Sequence, residues 1–456
     1  MIYKFSPYFK VKVDSQLEIS IESLYKTFAF KNLNPEVTNV VTRLIDGAEE
    51  DSLVDLLLHN FGLLSQFYFY FEEFKKLGIL SISVGTLDKV LVEATPHTPD
   101  FCYYKNAFQQ DQKFKLSRFC FFRSEGDHFI LETPLCPVHI KVVEKDALTI
   151  IYSFASPKSM IEVIQGNLNF APKIVEDLCQ LLYQAKIILT WDDHTEEEKD
   201  PHFIPWEFHD LLFHSRSRKG RHSYAFGGTY PHQNSLPSPP AIKKTSSQII
   251  VPLKIPDFEE ANKNSLPFSF VLENRRSKRE GTHGLSSNEI SEFLYKSCRV
   301  KSIQQTAMGE ITVRPYPSAG GRYELEIYLV IHNCLEIPSG LYYYHPVNHH
   351  LEKISTSPEN VQSLIQASMR SAAKEEPPQV LFILSARFQR ISWKYQSMAY
   401  ASILKDVGSL MQTMYLVATS MNLHPCALGG GDSDFFAKAC GLNYYEETSV
   451  GEFILS

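Results

Sequence analysis

The chain has 456 residues, a formal net charge of −7 and 44% hydrophobic residues, which allows a sizeable core and, at about 150 residues per domain, about three domains. The acidic balance argues against nucleic acid as the main partner. The eight cysteines lack the spacing of a zinc site, so we expect buried thiols in a reducing compartment and no metal site. The N-terminus lacks a signal-peptide core and the longest apolar run is too short to cross a bilayer, so we expect a soluble, cytoplasmic protein without a membrane partner.

The first hundred residues read as a strand, several helices and a short hairpin. Apolar residues recur at helical spacing over residues 38–61, and residues 67–80 predict another helix that ends at Gly78. SISVGTLDKVLVEA alternates apolar and polar residues and predicts a hairpin with its turn at Gly85. We therefore predict a winged-helix-like module over residues 1–100.

Residues 101–200 contain similar helix, hairpin and strand patterns in another order. A hairpin turning at Gly126–Asp127 precedes helix patterns in residues 155–168 and 172–188, and a short strand pattern follows. We predict a second winged-helix-like module here.

Residues 201–256 read as a connecting arm, because a helix pattern ending in a basic run leads into a stretch rich in Gly, Pro and Ser. From residue 257 to residue 456 helix and strand patterns alternate, which predicts a compact α/β or α+β domain.

A basic segment surrounds a serine in ENRRSKREG, residues 273–281. Guanidinium groups and a hydroxyl can surround a phosphate, because the fork of an arginine matches two phosphate oxygens. A solvated basic turn is the alternative, and the segment alone favours it. The residues concerned are Arg275, Arg276, Ser277, Lys278 and Arg279.

The stretch PYPSAGGRYELEIYLVI, residues 315–331, joins a backbone with almost no side-chain bulk to an alternating strand. Such a backbone can lie flat against a planar ligand and offer it N–H groups, although a tight turn into a strand is the commoner use of Gly and Pro. A second glycine turn, 429–431, precedes a helix pattern for which Asp432 or Ser433 is the expected N-cap. Its alternative is a plain helix–loop–helix connection.

The longest helix pattern, residues 395–423, predicts a helix buried on most sides, in part by a second subunit. A buried strand pattern enters this helix through SWKYQ, which places Lys394 beside Tyr395 at the corner. An ammonium group near a phenol lowers the tyrosine pKa towards a useful range. Adjacent residues on a regular helix point about 100° apart, so both side chains can reach one substrate only if the corner is irregular.

Four motifs in this order resemble the FMN-dependent nitroreductase superfamily, and more narrowly its SagB-type branch, the azoline dehydrogenases. They are RRSKR, PSAGGRYELEIYLV, WKY with its long helix, and LGGGD followed by FFAKACGL. The resemblance covers about residues 206–456, including an arm that ends in GGTY. The N-terminal half is similar to the peptide-clamp modules of such pathways, including those of the cyanobactin oxidases.

This resemblance implies an α+β fold in which a nitroreductase-like FMN domain, a central antiparallel sheet flanked by helices, follows two small winged-helix-like modules. It implies a homodimer that oxidises thiazoline or oxazoline rings in a ribosomal precursor peptide to thiazoles or oxazoles. Molecular oxygen is the expected electron acceptor, the N-terminal modules are expected to bind the leader peptide, and a cyclodehydratase is a candidate partner.

The resemblance also implies roles for individual residues. The FMN phosphate and ribityl chain would contact Arg275, Arg276, Ser277 and Arg279. The isoalloxazine would lie along Pro317, Ser318, Ala319 and Gly320, with further backbone contacts from Gly429 and Gly430. Lys394 and Tyr395 match the catalytic Lys–Tyr pair of the branch, with Tyr395 as the candidate base.

Two positions depart from the family pattern. Gly321 stands where generic nitroreductases usually carry Asn, and Met398 stands where the azoline branch often has Arg. Other functions remain open at this point: a general NAD(P)H-dependent nitroreductase or flavin reductase, and a non-catalytic peptide-binding scaffold. A DNA-binding regulator is a third, which the acidic balance disfavours.

Overall fold

The computed structural model describes residues 1–14, 18–23, 27–104, 106, 108–109, 111–222, 225–259, 266–281 and 283–456. The chain forms two compact units, residues 1–224 and 225–456. The boundaries predicted after residues 100, 200 and 256 stay predictions. Within the described residues, no helix is both long and apolar enough to cross a membrane.

The first unit combines short strands with helices. Its strands, numbered in chain order, are β1 (Ile2–Phe5), β2 (Lys10–Val13), β3 (Ile19–Glu22), β4 (Thr27–Phe30), β5 (Ala48–Glu49), β6 (Leu80–Thr86), β7 (Lys89–Pro96), β8 (Lys113–Leu116), β9 (Phe121–Glu125), β10 (His128–Glu132), β11 (Val138–Val142), β12 (Lys158–Ser159), β13 (Ile188–Asp192) and β14 (His194–Thr195). Its helices are Pro35–Thr42, Glu50–Asp55, Phe61–Lys76, Ala147–Ser153, Met160–Gly166, Pro172–Gln184, Glu196–Lys199 and Phe208–Arg216, with a 3-10 turn at Arg43–Ile45.

The largest sheet of this unit contains strands from both predicted modules. Its order is β5-β1-β6-β7-β11-β10-β9, and β7 pairs antiparallel with β11. Smaller sheets have the orders β12-β8-β13-β14 and β2-β3-β4. One continuous cluster of buried apolar side chains packs the unit together. The predicted winged-helix-like modules are not confirmed by this arrangement.

The hairpins of the first unit test two local predictions. The hairpin between β9 and β10 turns at Gly126–Asp127 as predicted. The turn predicted at Gly85 is wrong, because the chain turns two residues later, at 87–88. Gly85 instead occupies a shift in the β6–β7 register with a φ of 136°, a conformation that glycine adopts without a Cβ penalty.

The second unit is built on one large sheet. Its strands are β15 (Ile250–Pro252), β16 (Ser302–Thr306), β17 (Gly309–Val313), β18 (Leu325–Ile331), β19 (Gly340–His345), β20 (His350–Lys353), β21 (Val380–Arg387), β22 (Pro425–Leu428) and β23 (Glu447–Leu455). Its helices are Phe268–Asn274, Ser287–Cys298, Pro358–Ala372, Phe388–Ser392, Ala399–Ser420 and Ser433–Cys440, with a 3-10 turn at Ala319–Gly321. We call Ala399–Ser420 the long helix.

The large sheet has the order β15-β20-β19-β18-β21-β23-β22, and its neighbouring strands are antiparallel. Alternate residues of β18 enter two different cores, so helices cover both faces. Ser287–Cys298 and the long helix contribute to one core, and Pro358–Ala372 and Ser433–Cys440 contribute to the other. The α+β architecture with a central antiparallel sheet flanked by helices is therefore confirmed. Asp432 caps the last helix, as its side chain accepts a hydrogen bond from Phe435 N.

Candidate active site

Two of the predicted site segments lie at the same end of the large sheet. Leu325, which begins β18, pairs with Ala386 near the end of β21, and Ala386 pairs with Thr448 near the start of β23. The small-residue loop 317–321 enters the sheet at this end, and the corner that carries Lys394 leaves it there. Strand β22 also runs towards this end, but its last residue, Leu428, pairs with Glu452 in the middle of β23, so the turn 429–431 leaves the sheet before that end.

The small-residue loop has a conformation that requires glycine. Gly320 and Gly321 have φ angles of 58° and 65°, in the left-handed region where other residues are strained. A Cβ added at Gly320 would overlap the Tyr395 hydroxyl and the Lys394 ammonium, whereas one at Gly321 would come no closer than 4.0 Å to Ile311. Gly320 therefore lets the loop approach the corner closely.

The segment that carries Lys394 and Tyr395 is not a regular helix, which is the condition for both side chains to reach one substrate. One helix ends at Ser392, the long helix begins at Ala399, and Ser397 between them has a φ of 64°. Lys394 Nζ donates a hydrogen bond to the Gly320 carbonyl at 3.3 Å, and the same ammonium lies 5.2 Å from the centre of the Tyr395 ring. Both side chains thus lie close to Gly320 of the loop.

Asp406 of the long helix is hydrogen-bonded to the small-residue loop. Its carboxylate accepts hydrogen bonds from Ser318 Oγ and from Ala319 N, each at 2.8 Å, while Tyr323 N donates to Ser318 Oγ at 2.9 Å. The polar atoms of Ser318 and the N–H of Ala319 are thus used inside the protein. Asp406 was not predicted from the sequence, where its one signal is a lone carboxylate within a largely apolar helix pattern.

A second carboxyl group is buried beside Asp406. Glu324 is buried, and its Oε2 lies 3.3 Å from Ser318 Oγ, the hydroxyl that also donates to Asp406. Burial, followed by the neighbouring carboxylate, raises the pKa of Glu324 to about 8. Asp406 accepts the two donors from the loop, so Glu324 is the group that keeps its proton at neutral pH.

The predicted phosphate segment lies further along the long helix. Ser277 Oγ is 2.7 Å from the hydroxyl of Tyr415, which also accepts a hydrogen bond from Ala427 N at 2.7 Å. The guanidinium of Arg275 lies 5.2 Å from the centre of the Tyr415 ring. Tyr415 follows Asp406 by nine residues, a separation of about 14 Å along a helix.

The cations of this segment face outward. Arg276, Ser277 and Arg279 are exposed and Arg275 is half-buried. The ion pairs within the described ranges include none of these three arginines, so their charges are available to an anion. Lys278 is also in none of these ion pairs, and its backbone N–H donates to Pro425 O at 2.8 Å at the start of β22.

The glycine turn after β22 is open. A Cβ at Gly429 or Gly430 would meet no atom within 4 Å, whereas one at Gly431 would overlap the carboxylate of Glu452. Packing within the chain therefore requires glycine only at Gly431. The predicted ligand contacts of Gly429 and Gly430 stay predictions.

These features fit FMN, the cofactor implied by the resemblance. FMN carries a flat ring at one end and a phosphate at the other. The close-approach glycine at position 320 lies at one end of the Asp406–Tyr415 span, and the outward-facing arginines lie at the other. The residue roles predicted for this site stay predictions.

A cluster in the first unit has the composition of a metal site. Ligand atoms of His97, Glu132 and His139 lie within 4.8 Å of one another. Both oxygens of Glu132 also accept hydrogen bonds at 2.7 Å, from Arg123 Nε and Arg216 Nη2. Burial opposes ionisation of Glu132, but hydrogen bonds from His97 and the two arginines outweigh it and hold its pKa well below its usual range. Two adjacent guanidinium groups disfavour a metal cation, so we interpret the cluster as a buried salt-bridge network.

Residues 273–453 match the nitroreductase family, and residues 114–223 match the cyanobactin oxidase ThcOx family. The second unit has a nitroreductase-like fold. The resemblance predicted from the four motifs is thereby confirmed, and the relatives support an enzyme of oxidoreductase type. The ThcOx match lies in the N-terminal half of the chain, where the sequence resembles peptide-clamp modules.

Two curated proteins and one solved structure show what this chain is similar to. "Putative nitroreductase MJ1384" of Methanocaldococcus jannaschii is 29% identical over 178 residues, 39% of this chain and 83% of that protein. "Microcin B17-processing protein McbC" of Escherichia coli is 26% identical over 168 residues, 36% of this chain and 61% of that protein. The E. coli microcin synthetase McbBCD complex with truncated pro-MccB17 bound matches with a TM-score of 0.34 and 19% identity, over 57% of this chain and 94% of that chain. The chain thus spans less than two thirds of the length of McbC.

Proposed function

We propose that this protein is an FMN-dependent azoline oxidase that converts thiazoline or oxazoline rings of a ribosomal precursor peptide into thiazoles or oxazoles. The proposal includes binding of the leader peptide by the first unit, a homodimer, and a cyclodehydratase partner that supplies the azoline. Similarity of the chain to the cyanobactin oxidase ThcOx family and to a microcin-processing protein supports a peptide substrate.

The observation that carries the proposal is the meeting of Lys394 and Tyr395 at Gly320. The break between the two helices brings an ammonium and a phenol to one point. An ordinary helix would point them in different directions. A proton-transfer pair beside a backbone that can accept a flat ring suits the oxidation of a small ring system.

The chemistry assigns one task to each side chain. Tyr395 removes the acidic proton from the ring carbon next to the carbonyl. Lys394 stabilises the phenolate that this base requires and the negative charge that develops on the substrate. When bound, FMN supplies the two-electron acceptor for the hydride that leaves the adjacent ring carbon, and molecular oxygen then takes up those electrons as hydrogen peroxide. The ring loses one proton and one hydride, so the product is two hydrogens lighter per azoline.

A direct test is an incubation of the purified protein with an azoline-containing peptide in air, followed by mass spectrometry. Loss of two hydrogens per ring, with production of hydrogen peroxide, is the expected result. A catalytically inert control is the same protein with Lys394→Ala and Tyr395→Phe. No mass change with any of several azoline peptides, despite bound flavin, would overturn the proposal.

The similarity to a protein described as a nitroreductase favours one alternative, a general NAD(P)H-dependent reductase. Under that function NAD(P)H would bleach the flavin rapidly and a nitroaromatic compound would restore its colour. Slow bleaching by NAD(P)H together with rapid bleaching by an azoline peptide would exclude this alternative. A protein that purifies without flavin and binds none would instead favour a peptide-binding scaffold.

A further inference from the structure

The arm at the start of the second unit pairs with the backbone of the Lys394–Tyr395 corner. Gly227 and Gln396 form an antiparallel bridge, with N–H to carbonyl distances of 3.2 and 3.0 Å. Tyr230 N donates to the carbonyl of Lys394 at 3.1 Å. Ser397 Oγ donates to Ala225 O at 2.9 Å. Because the corner lies between two helices, these bonds to the arm replace those that a continuous helix would give it.

The side chain of Tyr230 completes the same corner. Its ring centre lies 5.9 Å from Lys394 Nζ and 5.6 Å from the centre of the Trp393 ring, which it meets edge to face. The Arg322 guanidinium lies over the Trp393 ring, 5.5 Å from its centre. Tyr230 has a φ of 51°, a strained value for a tyrosine that persists only where the surroundings enforce it.

The polar and ring contacts of Lys394 within the described ranges are uncharged. They are the Gly320 carbonyl and the rings of Tyr395 and Tyr230. Aromatic faces attract an ammonium without neutralising it. A carboxylate at the position of Tyr230 could also hold Lys394, but it would neutralise the ammonium beside Tyr395.

We propose that Tyr230 is a positioning residue, which holds the Lys394 ammonium beside Tyr395 and leaves its charge uncompensated. The arm is thereby a structural part of the active site. This inference rests on the proposed function for its catalytic meaning, because Lys394 and Tyr395 are assigned there. Its structural content, the dependence of the Lys394 position on the Tyr230 ring, is independent of any reaction.

Substitutions at Tyr230 separate the ring from the backbone. Tyr230→Phe keeps the aromatic face and should behave as the wild type. Tyr230→Asn removes the face and suits the left-handed φ, since Asn is among the residues enriched there. Tyr230→Leu removes the face without adding a polar group and serves as a second variant if Tyr230→Asn does not fold.

The first readout does not involve activity. Lysines of the purified flavin-loaded protein are labelled by reductive ¹³C-methylation, and the Lys394 signal is identified by its loss in Lys394→Arg. Ring currents should shift this signal away from those of exposed lysines. Tyr230→Asn and Tyr230→Leu should move it towards them, and Tyr230→Phe should leave it in place. An unchanged signal in both ring-deleted variants would overturn the proposal.

The second readout is the pH profile of kcat/KM for azoline oxidation. Loss of a cation–π contact at a partly exposed site predicts about a two- to five-fold fall in kcat/KM at neutral pH. The charged or titratable groups around Tyr395 are Lys394, Tyr230 and Arg322. The acid limb of the profile should move to higher pH in Tyr230→Asn and Tyr230→Leu but not in Tyr230→Phe, because only the first two release the Lys394 ammonium. An acid limb at the wild-type position in all variants would contradict the positioning role. Absence of azoline oxidation in the wild type, with the NMR signal still dependent on the ring, would instead overturn only the proposed function.

Discussion

The two ends of the candidate FMN site differ in how many of their hydrogen-bonding groups and charges are already paired within the protein. At the ring end the loop 317–321, the Lys394–Tyr395 corner and Asp406 bond to one another. At the phosphate end Arg276 and Arg279 are exposed, and the ion pairs of the described residues do not include them. The ring end is therefore preorganised, whereas the phosphate end keeps its charges for an anion.

A flavin site must both bind the cofactor and position the reacting groups, and this difference assigns the two properties to different ends of the site. Positioned groups act on a transition state without reorganisation, so geometry at the ring end should govern the rate. Charges that are free in the protein contribute to binding when the ligand arrives, so the phosphate end should govern affinity. Substitutions at the two ends should consequently affect different measured quantities.

The largest effect is expected from removal of the proton-transfer pair. Tyr395→Phe and Lys394→Ala should each reduce kcat for azoline oxidation by about 10²–10⁴-fold, the range typical of general acid–base groups. Flavin content, measured by absorbance after gel filtration, should stay at the wild-type level. Tyr445→Phe, at a residue that is 82% exposed, is the matched control. Turnover near normal in both active-site variants would remove the pair from the mechanism.

The next effect compares two adjacent glycines. Gly320→Ala should lower kcat about 10- to 100-fold, because its Cβ displaces the Lys394 ammonium and the Tyr395 hydroxyl and misplaced catalytic groups cost up to about 10² in rate. Gly321→Ala has the same left-handed strain, about 1–2 kcal/mol, but open space around its Cβ. Equal thermal destabilisation with unequal kcat is the expected pattern, and equal kcat in the two variants would contradict this view of the loop.

A smaller effect is expected at the phosphate end. Arg276→Ala and Arg279→Ala should each weaken FMN binding about tenfold, since a charge-assisted hydrogen bond contributes about 1.5–3 kcal/mol. Riboflavin, which lacks the phosphate, should bind to wild type and variants alike, as measured by quenching of flavin fluorescence. An equal loss of affinity for riboflavin would show that these arginines act on the fold or on the ring instead.

The last prediction concerns the stability of the fold instead of catalysis or cofactor binding, and it rests on the buried carboxyl pair at the loop. The folded protein binds a proton at Glu324 more tightly than the unfolded chain does, so stability should fall as pH rises between the ordinary value of 4.5 and about 8, by at most about 1.4 kcal/mol per pH unit. Glu324→Gln resembles the protonated acid and should lose this dependence, whereas the exposed control Glu375→Gln should keep it. Tm measured against pH tests this, and parallel curves for wild type and Glu324→Gln would contradict it.

Some of these features could be predicted from the sequence because their signals are local. The small residues before β18, the cap at Asp432 and the Lys394–Tyr395 pair all lie within a few consecutive positions. The alternation of residues 322–331 likewise predicted the apolar face of β18 that enters one core, but not the second core on its other face.

Other features depend on contacts between distant segments and leave no local trace. Asp406 follows Ser318 by 88 residues, and Ser397 bonds to Ala225 across 172 residues. The irregular corner itself pairs with the arm, which lies far from it in the sequence. In the first unit the pairing of β7 with β11 joins two predicted modules into one sheet, which short strand patterns do not specify.

The most direct test of the account is anaerobic reduction of the bound flavin by an azoline-containing peptide in the absence of NAD(P)H. We expect the visible flavin absorbance to bleach in the wild type and to return when oxygen is admitted, with Tyr395→Phe loaded with flavin but bleaching about 10²-fold or more slowly. The claim that the ring end of this site oxidises azolines would be contradicted by bleaching at the same rate in Tyr395→Phe. It would also be contradicted if NAD(P)H bleached the flavin and the azoline peptide did not.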